Sequence, residues 1–422
     1  LSWKSKLKAL RKIFELPRSI CRQAQFERFC AQGGESLENF ALWSALVFEN
    51  GDIDLPQRYS SIDAPGVEEA RQRLASEIEF WQWCQWIVFD QLIRAQEGAR
   101  RLGMDMGIMS DLAVGVHSKG SEIWSMPDAF APGMSVGAPP DMYSQQGQNW
   151  AQPPWSPRSL ARMGYAPLRE MLRSVLSYAG AVRIDHILGL FRLWWIPEGM
   201  GAQSGAYVSY DHEAMVGIVL LEAQRAGAVV IGEDLGTVEP WVRGYLNDRG
   251  ILGTSVLWFE KEGSGWPLWP DHYRRSCLAA VTTHDLPPTL GYLEGAHTEL
   301  RNQLGLLVED LEQVRDADRI ERERMVSRLK EGGFIHDDEP SEEELVLAMH
   351  AYLAASPALL LAVSLVDVVG EKLPQNLPGT NAEYPNWCVP LHAFNGKEVL
   401  IDDMAHCDRV KRFLTSVDRY IR

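Results

Sequence analysis

The chain has 422 residues, 46% hydrophobic and 23% charged, with 57 acidic against 41 basic side chains and a formal charge of −16. This composition excludes a disordered chain and argues against a general nucleic-acid or anionic-membrane surface, so a neutral ligand fits better. The length accommodates two domains or one α/β barrel with insertions. Tryptophan is over-represented: 15 Trp exceed 13 Phe and 12 Tyr. Its flat ring serves equally for packing and for stacking on sugars, and both uses stay open. The six cysteines form no CxxC pair and no disulfide framework, which points to a reducing, cytoplasmic setting. No apolar run approaches the ~18 residues of a membrane span. The basic start around Lys4, Lys6, Lys8, Arg11 and Lys12 lacks the apolar core of a signal peptide, and an upstream segment is expected before Leu1.

In chain order, residues 1–105 read as helices. Phe26, Phe29, Leu37, Phe40, Leu42, Trp43 and Leu46 recur at roughly helical spacing, with Ser36 and Asn39 marking the start of a second run. From Val67 to Arg101, Phe80, Trp81, Trp83, Trp86, Ile87 and Phe89 read as a buried helix face. This segment is assigned to a helical subdomain, and 106–422 to the body of the fold.

Within 106–422, short β-like runs alternate with helical stretches. The predicted strands are Met106–Val116, Ala181–Ile187, Ala228–Leu235, Gly253–Phe259, Leu278–Asp285 and Leu359–Val368, with helices such as Leu168–Ser177, Ala214–Arg225 and Val238–Asn247 between them. Alternation of this kind implies a parallel sheet with helical crossovers. Two stretches break the rhythm: a Pro-, Gly-, Ser- and Gln-rich loop over 118–163 and a charged helical insertion over 294–340. Six strands are two short of a closed (β/α)8 barrel, so either two lie upstream of Leu1 or two of the predicted helices are strands.

Three carboxylates end three of these strands: Asp185 in AVRIDHILG, Glu233 in VVIGEDLGTV and Asp285 in AVTTHDLPPT. In a parallel barrel the strand C-termini share one rim, where the active site forms. Converging carboxylates suit glycosyl transfer, which needs an ionised nucleophile and a protonated donor, ~5–5.5 Å apart in retaining enzymes. Arg183, two residues before Asp185, shares its strand face and would keep it ionised. Glu233 and Asp234 point to opposite faces, so only one can be the acid; Glu233 is chosen, with Asp234 as the alternative. His186 and His284 stand beside Asp185 and Asp285 as donors for sugar hydroxyls. No GxSxG elbow, GxGxxG or P-loop occurs, and no cofactor or metal is expected.

The segments VRIDHILGLFRLWWIPEG, VIGEDLGTV, TTHDLP, NLPGTNAEYPNW and SVGAPPDMYSQQGQNWAQPPW, in unbroken order from about Phe26 to Leu391, resemble the amylomaltases, the bacterial 4-α-glucanotransferases of the α-amylase clan. The resemblance implies a (β/α)8 TIM barrel with helical subdomain insertions, its first two strands lying outside this chain and 1–105 inserted early in it. It implies cleavage of an α-1,4 bond, a covalent glucosyl-enzyme, and transfer of the glucan to a sugar 4-hydroxyl. On that mapping Asp185 is the nucleophile, Glu233 the acid/base and Asp285 the acid that binds the distorted sugar and stabilises the transition state, with Arg183 and His284 in support. Asp141, Tyr143 and Trp150 match the loop over the acceptor subsites, and Asp367 and Asn376 match the last strand and the loop after it. Two positions depart from the pattern: Lys119 replaces a carboxylate after the third strand, and Cys388 and Val389 follow Trp387 in place of a basic pair. The partners implied are a maltodextrin or other α-1,4-glucan donor and a sugar acceptor. The rival readings are a hydrolase of the same clan and a truncated glucan-binding chain.

Overall fold

The computed structural model describes residues 2–140, 146–236, 238–380 and 382–421. Among them are ten strands: β1 (Met109–Leu112), β2 (Met134–Ala138), β3 (Gln148–Gln152), β4 (Ala181–Ile184), β5 (Arg192–Pro197), β6 (Ala206–Ser209), β7 (Val229–Gly232), β8 (Gly253–Val256), β9 (Cys277–Ala280) and β10 (Leu360–Ala362). The chain divides into two compact units, Leu1–Val230 and Ile231–Arg422.

The first unit begins with helices only, Trp3–Phe14, Ile20–Asn50, Val67–Arg73 and Ala75–Arg101. Ile20–Asn50 starts where the Ser19 hydroxyl accepts from the Arg22 N–H, and ends at Gly51, whose φ of 76° reverses the chain. Its interior breaks at Gly34 (φ 51°), two residues before the expected second start at Ser36, because glycine takes that conformation without a Cβ clash. Phe80, Trp83 and Trp86 of Ala75–Arg101 are under 5% exposed and close on Phe26 and Leu7. At ~2–3 kcal/mol for each large apolar side chain buried, this seam is what holds the long helices together.

Two sheets complete the first unit. One pairs β1 in parallel with β4, with Asp111 opposite Arg183. β4 is buried along most of its length, as a strand of a parallel sheet should be. The other is an antiparallel sheet, β3–β2–β5–β6, which alternation did not reveal. It corrects the reading of 118–163 as loop alone. β2 is a Gly- and Ser-containing MSVGA whose partner β5 lies more than fifty residues on. Gly137 is obligatory there: a Cβ would strike the carbonyl oxygen of Gln148 across a bulged register.

The second unit holds the parallel sheet β10–β9–β8, with β8 and β9 buried throughout. Three predicted strands here are shorter than expected. Gly253–Phe259 turns into a 3-10 helix after Val256, Leu278–Asp285 ends at Ala280, and Leu359–Val368 ends at Ala362 before the helix Leu365–Val369. The insertion over 294–340 folds as Ala296–Gln303 and Leu311–Glu331. The last turns of the latter drive Met325 and Leu329 into a core with Tyr352, Met349 and Phe413. Helix Glu342–Ala354 opens with a Ser341–Glu344 capping box and is buried on nearly every side.

Among the described residues no helix is long and apolar enough to cross a membrane, no three His, Cys, Asp or Glu gather as a metal site, and the six cysteines are free.

Candidate functional site

Each acid singled out from the sequence lies beyond the C-terminal end of a buried parallel strand. Asp185 follows Ile184 of β4 directly and Glu233 follows Gly232 of β7, whereas Asp285 stands five residues past β9 in the turn THDLP.

In the first unit the two-residue strand period sets Arg183 and Asp185 on one face, and Arg183 Nη1 lies 3.1 Å from Asp185 Oδ1. The same nitrogen donates to Asp111 Oδ1 at 2.7 Å. The Arg183 side chain is 12% exposed and bridges two carboxylates that are themselves partly open to solvent, Asp111 at 48% and Asp185 at 35%, and its charge favours Asp185 as an anion. Asp111 was missed from the sequence. An acid inside an otherwise apolar predicted strand was the available signal, but its partner became apparent only through the β1–β4 register.

The backbone of Asp185 is fixed by its N–H, which donates to Leu112 O at 2.9 Å. His186 then turns the chain at φ 44°, a conformation a non-glycine residue holds only where its surroundings impose it. The His186 ring meets the edge of Trp150 of β3 with centroids 5.4 Å apart. Trp150 is steadied by its Nε1–H donating to Gln148 Oε1 at 3.0 Å. The imidazole is half-buried by surface, yet enough protein surrounds it that desolvation lowers its pKa to about 4. It is therefore a neutral ring at pH 7, able both to donate and to accept. Asp141 and Tyr143 lie outside the described residues.

In the second unit Glu233 and Asp234 separate. Asp234 is 2% exposed at its side chain and is held by Arg274 at 2.6 and 2.7 Å, by the Thr254 N–H at 2.9 Å and by Arg243 at 3.4 Å. Every acceptor position is turned inward, and the carboxylate ties β7, β8 and the loop before β9 together. Glu233 stays half-buried, with Oε1 accepting from the Leu235 N–H at 2.6 Å. Of the two neighbours, Glu233 is the one a ligand can reach.

Asp285 Oδ1 accepts from Asn376 Nδ2 at 2.6 Å, and Oδ2 lies 3.2 Å from His284 Nε2. The Asn376 N–H also donates to His284 O, so the loop after the last strand is laid against this turn. The same loop presents Trp387, whose ring centroid is 5.1 Å from that of His284. Trp387 went unassigned in the sequence reading although it closes the motif NLPGTNAEYPNW.

Asp367, expected on the last strand, sits instead in the helix Leu365–Val369 and is 0% exposed. Its oxygens accept from the Thr289 N–H at 2.7 Å and the Thr289 hydroxyl at 2.6 Å, with His350 Nε2 at 3.3 Å. A carboxylate with no surface does not touch a sugar in this arrangement; it holds the segment after Asp285 in place. The structure thus brings Arg183, Asp185, His186 and Trp150 together in one unit, and His284, Asp285 and Asn376 in the other.

A family model described as 4-alpha-glucanotransferase matches residues 1–395. The 4-alpha-glucanotransferase of Mycobacterium tuberculosis (strain H37Rv) is 48% identical over 410 residues, which cover 96% of this chain and 57% of that protein. Its Haemophilus influenzae counterpart is 38% identical over 326 residues, 75% of this chain and 46% of that protein. The chain therefore spans about half the length of these curated relatives. Among solved structures, amylomaltase from Corynebacterium glutamicum superposes with a TM-score of 0.90 at 43% identity, over 98% of this chain and 59% of that one. Amylomaltase from Streptococcus agalactiae in complex with acarbose shares the fold at a TM-score of 0.77 and 18% identity, over 98% of this chain and 78% of that one. These likenesses and the mixed helix and sheet content agree on an α/β fold of the glycoside-hydrolase type.

Proposed function

The chain belongs to the 4-alpha-glucanotransferase family, and from that premise we propose that it carries the catalytic acids of a retaining 4-α-glucanotransferase acting on maltodextrins. Asp185 attacks the anomeric carbon of an α-1,4-linked glucose unit while Glu233 gives its proton to the departing 4-oxygen. The glucosyl ester on Asp185 is then opened by the 4-hydroxyl of an acceptor sugar, whose proton Glu233 takes up. Asp285 binds the distorted sugar as positive charge develops at its ring. His186, His284 and Asn376 supply hydrogen bonds, and Trp150, with Asp141 and Tyr143, covers the acceptor. No cofactor is needed for this chemistry.

The observation that carries the reading is the contact of Arg183 with Asp185 at the end of β4, since a nucleophilic carboxylate has to be ionised and aimed. The same reading makes the fold a (β/α)8 barrel whose first two strands lie outside this chain, with 1–105 as an early helical insertion and 294–340 as a later one. Transfer prevails over hydrolysis when a sugar hydroxyl reaches the ester before water does, which a covering aromatic loop promotes. Incubation with maltotriose tests it: glucose together with longer maltodextrins is expected, and Asp185→Asn is expected to abolish both. New reducing ends without longer products would identify a hydrolase, and retained activity in Asp185→Asn would remove the nucleophile assignment.

A further inference from the structure

We infer that Trp387 is a sugar-stacking residue, placed to receive the apolar face of a glucose unit beside the His284–Asp285 pair; this rests on the glucanotransferase reading and adds a contact to it. Three independent observations converge on the residue. Its indole is 64% exposed, whereas Trp83, Trp86 and Trp124 are at most 5% exposed, so it is not spent on packing. Its backbone takes φ 62°, where a bulky side chain is strained and where glycine would sit freely. Finally, the ring is tilted by 47° to that of His284 with centroids 5.1 Å apart, on the same loop whose Asn376 bonds Asp285.

The strain is held by local bonds. The Trp387 N–H donates to Gln375 O at 2.7 Å, and the Cys388 N–H to Pro385 O at 3.0 Å. The Asn386 side chain accepts from the Leu377 N–H at 2.8 Å and donates to the Thr380 hydroxyl at 2.9 Å. A loop that is pinned on both sides in order to hold a tryptophan outward, in a conformation a smaller residue would take more easily, is shaped for what the tryptophan meets. A pyranose offers the complement: axial C–H groups for the indole and equatorial hydroxyls for the polar pair alongside. The ligand class is a neutral α-linked glucan.

The test measures maltoheptaose binding by calorimetry, thermal melting, and kcat and KM on maltotriose for the unsubstituted chain, Trp387→Gly and Trp387→Phe. The glycine variant is expected to melt at the same temperature or higher, because it relieves the positive φ, while its Kd and KM rise at least tenfold and kcat changes less. The phenylalanine variant is expected to recover most of the affinity. Binding by Trp387→Gly within twofold of the unsubstituted chain would overturn the inference, as would a marked fall in its melting temperature, which would make the indole a packing residue. If the unsubstituted chain neither binds maltoheptaose nor converts maltotriose, the glucanotransferase reading itself falls and takes this one with it.

Discussion

Arg274 grips Asp234 with two hydrogen bonds of 2.6 and 2.7 Å, and this pairing turns inward the acid that the sequence left as the alternative to Glu233. Strand alternation says only that Glu233 and Asp234 face opposite ways. Which of them faces inward depends on an arginine forty residues downstream.

The consequence for mutation is asymmetric. Asp234→Asn replaces the buried carboxylate that Arg274 and the half-exposed Arg243 hold with a neutral amide, a loss of charge-assisted bonding worth about 1.5–3 kcal/mol. Its melting temperature should fall clearly. Glu233→Gln removes a half-buried carboxylate and should change stability by less than about 1 kcal/mol, while transfer from maltotriose collapses. Calorimetric melting and product chromatography on both variants check this; an unstable Glu233→Gln beside a stable, inactive Asp234→Asn would reverse the assignment.

His186 gives stability a pH dependence of definite sign. Its folded pKa of about 4 lies below the ordinary 6.5, so between these values the unfolded chain binds the proton and the folded chain does not. The stabilisation is complete above pH 6.5 and is lost as the pH falls towards 4. It amounts to at most about 3 kcal/mol. Asparagine tolerates the positive φ and does not titrate there. Denaturant melts of the unsubstituted chain and His186→Asn between pH 4.5 and pH 7 should show a shallower slope for the variant. Equal slopes would mean that the imidazole is not held neutral by its surroundings.

For Asp367, Thr289 and His350 the expected readout is stability. Asp367→Ala leaves the Thr289 N–H and hydroxyl without acceptors and an imidazole facing a void, worth about 2–4 kcal/mol. Urea denaturation should register that loss, while the folded variant binds maltoheptaose within about threefold of the unsubstituted chain. Unchanged stability with lost binding would return Asp367 to direct sugar contact.

Much of this architecture could be read before any coordinates. All six predicted parallel strands are present, because runs such as VVIG and CLAA are apolar over the few residues that a buried strand needs. The helical start was legible for the same reason: Phe80, Trp83 and Trp86 recur on one face of Ala75–Arg101. What failed had a common physical cause. β2 and β5 pair across more than fifty residues, and a short MSVGA carries no periodicity strong enough to announce a strand. Asp111 joins the Arg183 cluster only through the register of β1 on β4. The helix Leu365–Val369 is an apolar run that reads equally well as strand, and Trp387 draws its meaning from His284, about a hundred residues earlier.

The sequence alone determined the local chemistry: which residue types follow which strands, the two-residue offset that puts Arg183 and Asp185 on one face, and the motif set that marks the family. Periodicity and spacing are properties of neighbouring residues, so a single chain displays them. Tertiary structure decided which carboxylates are spent inside the protein and which stay available, for burial and the arrival of a distant partner such as Arg274, Thr289 or Asn376 depend on chain segments that meet only when folded. An aspartate held by Arg274 and a glutamate left half-exposed are the same chemistry in the sequence, and they differ only in what the fold brings to them.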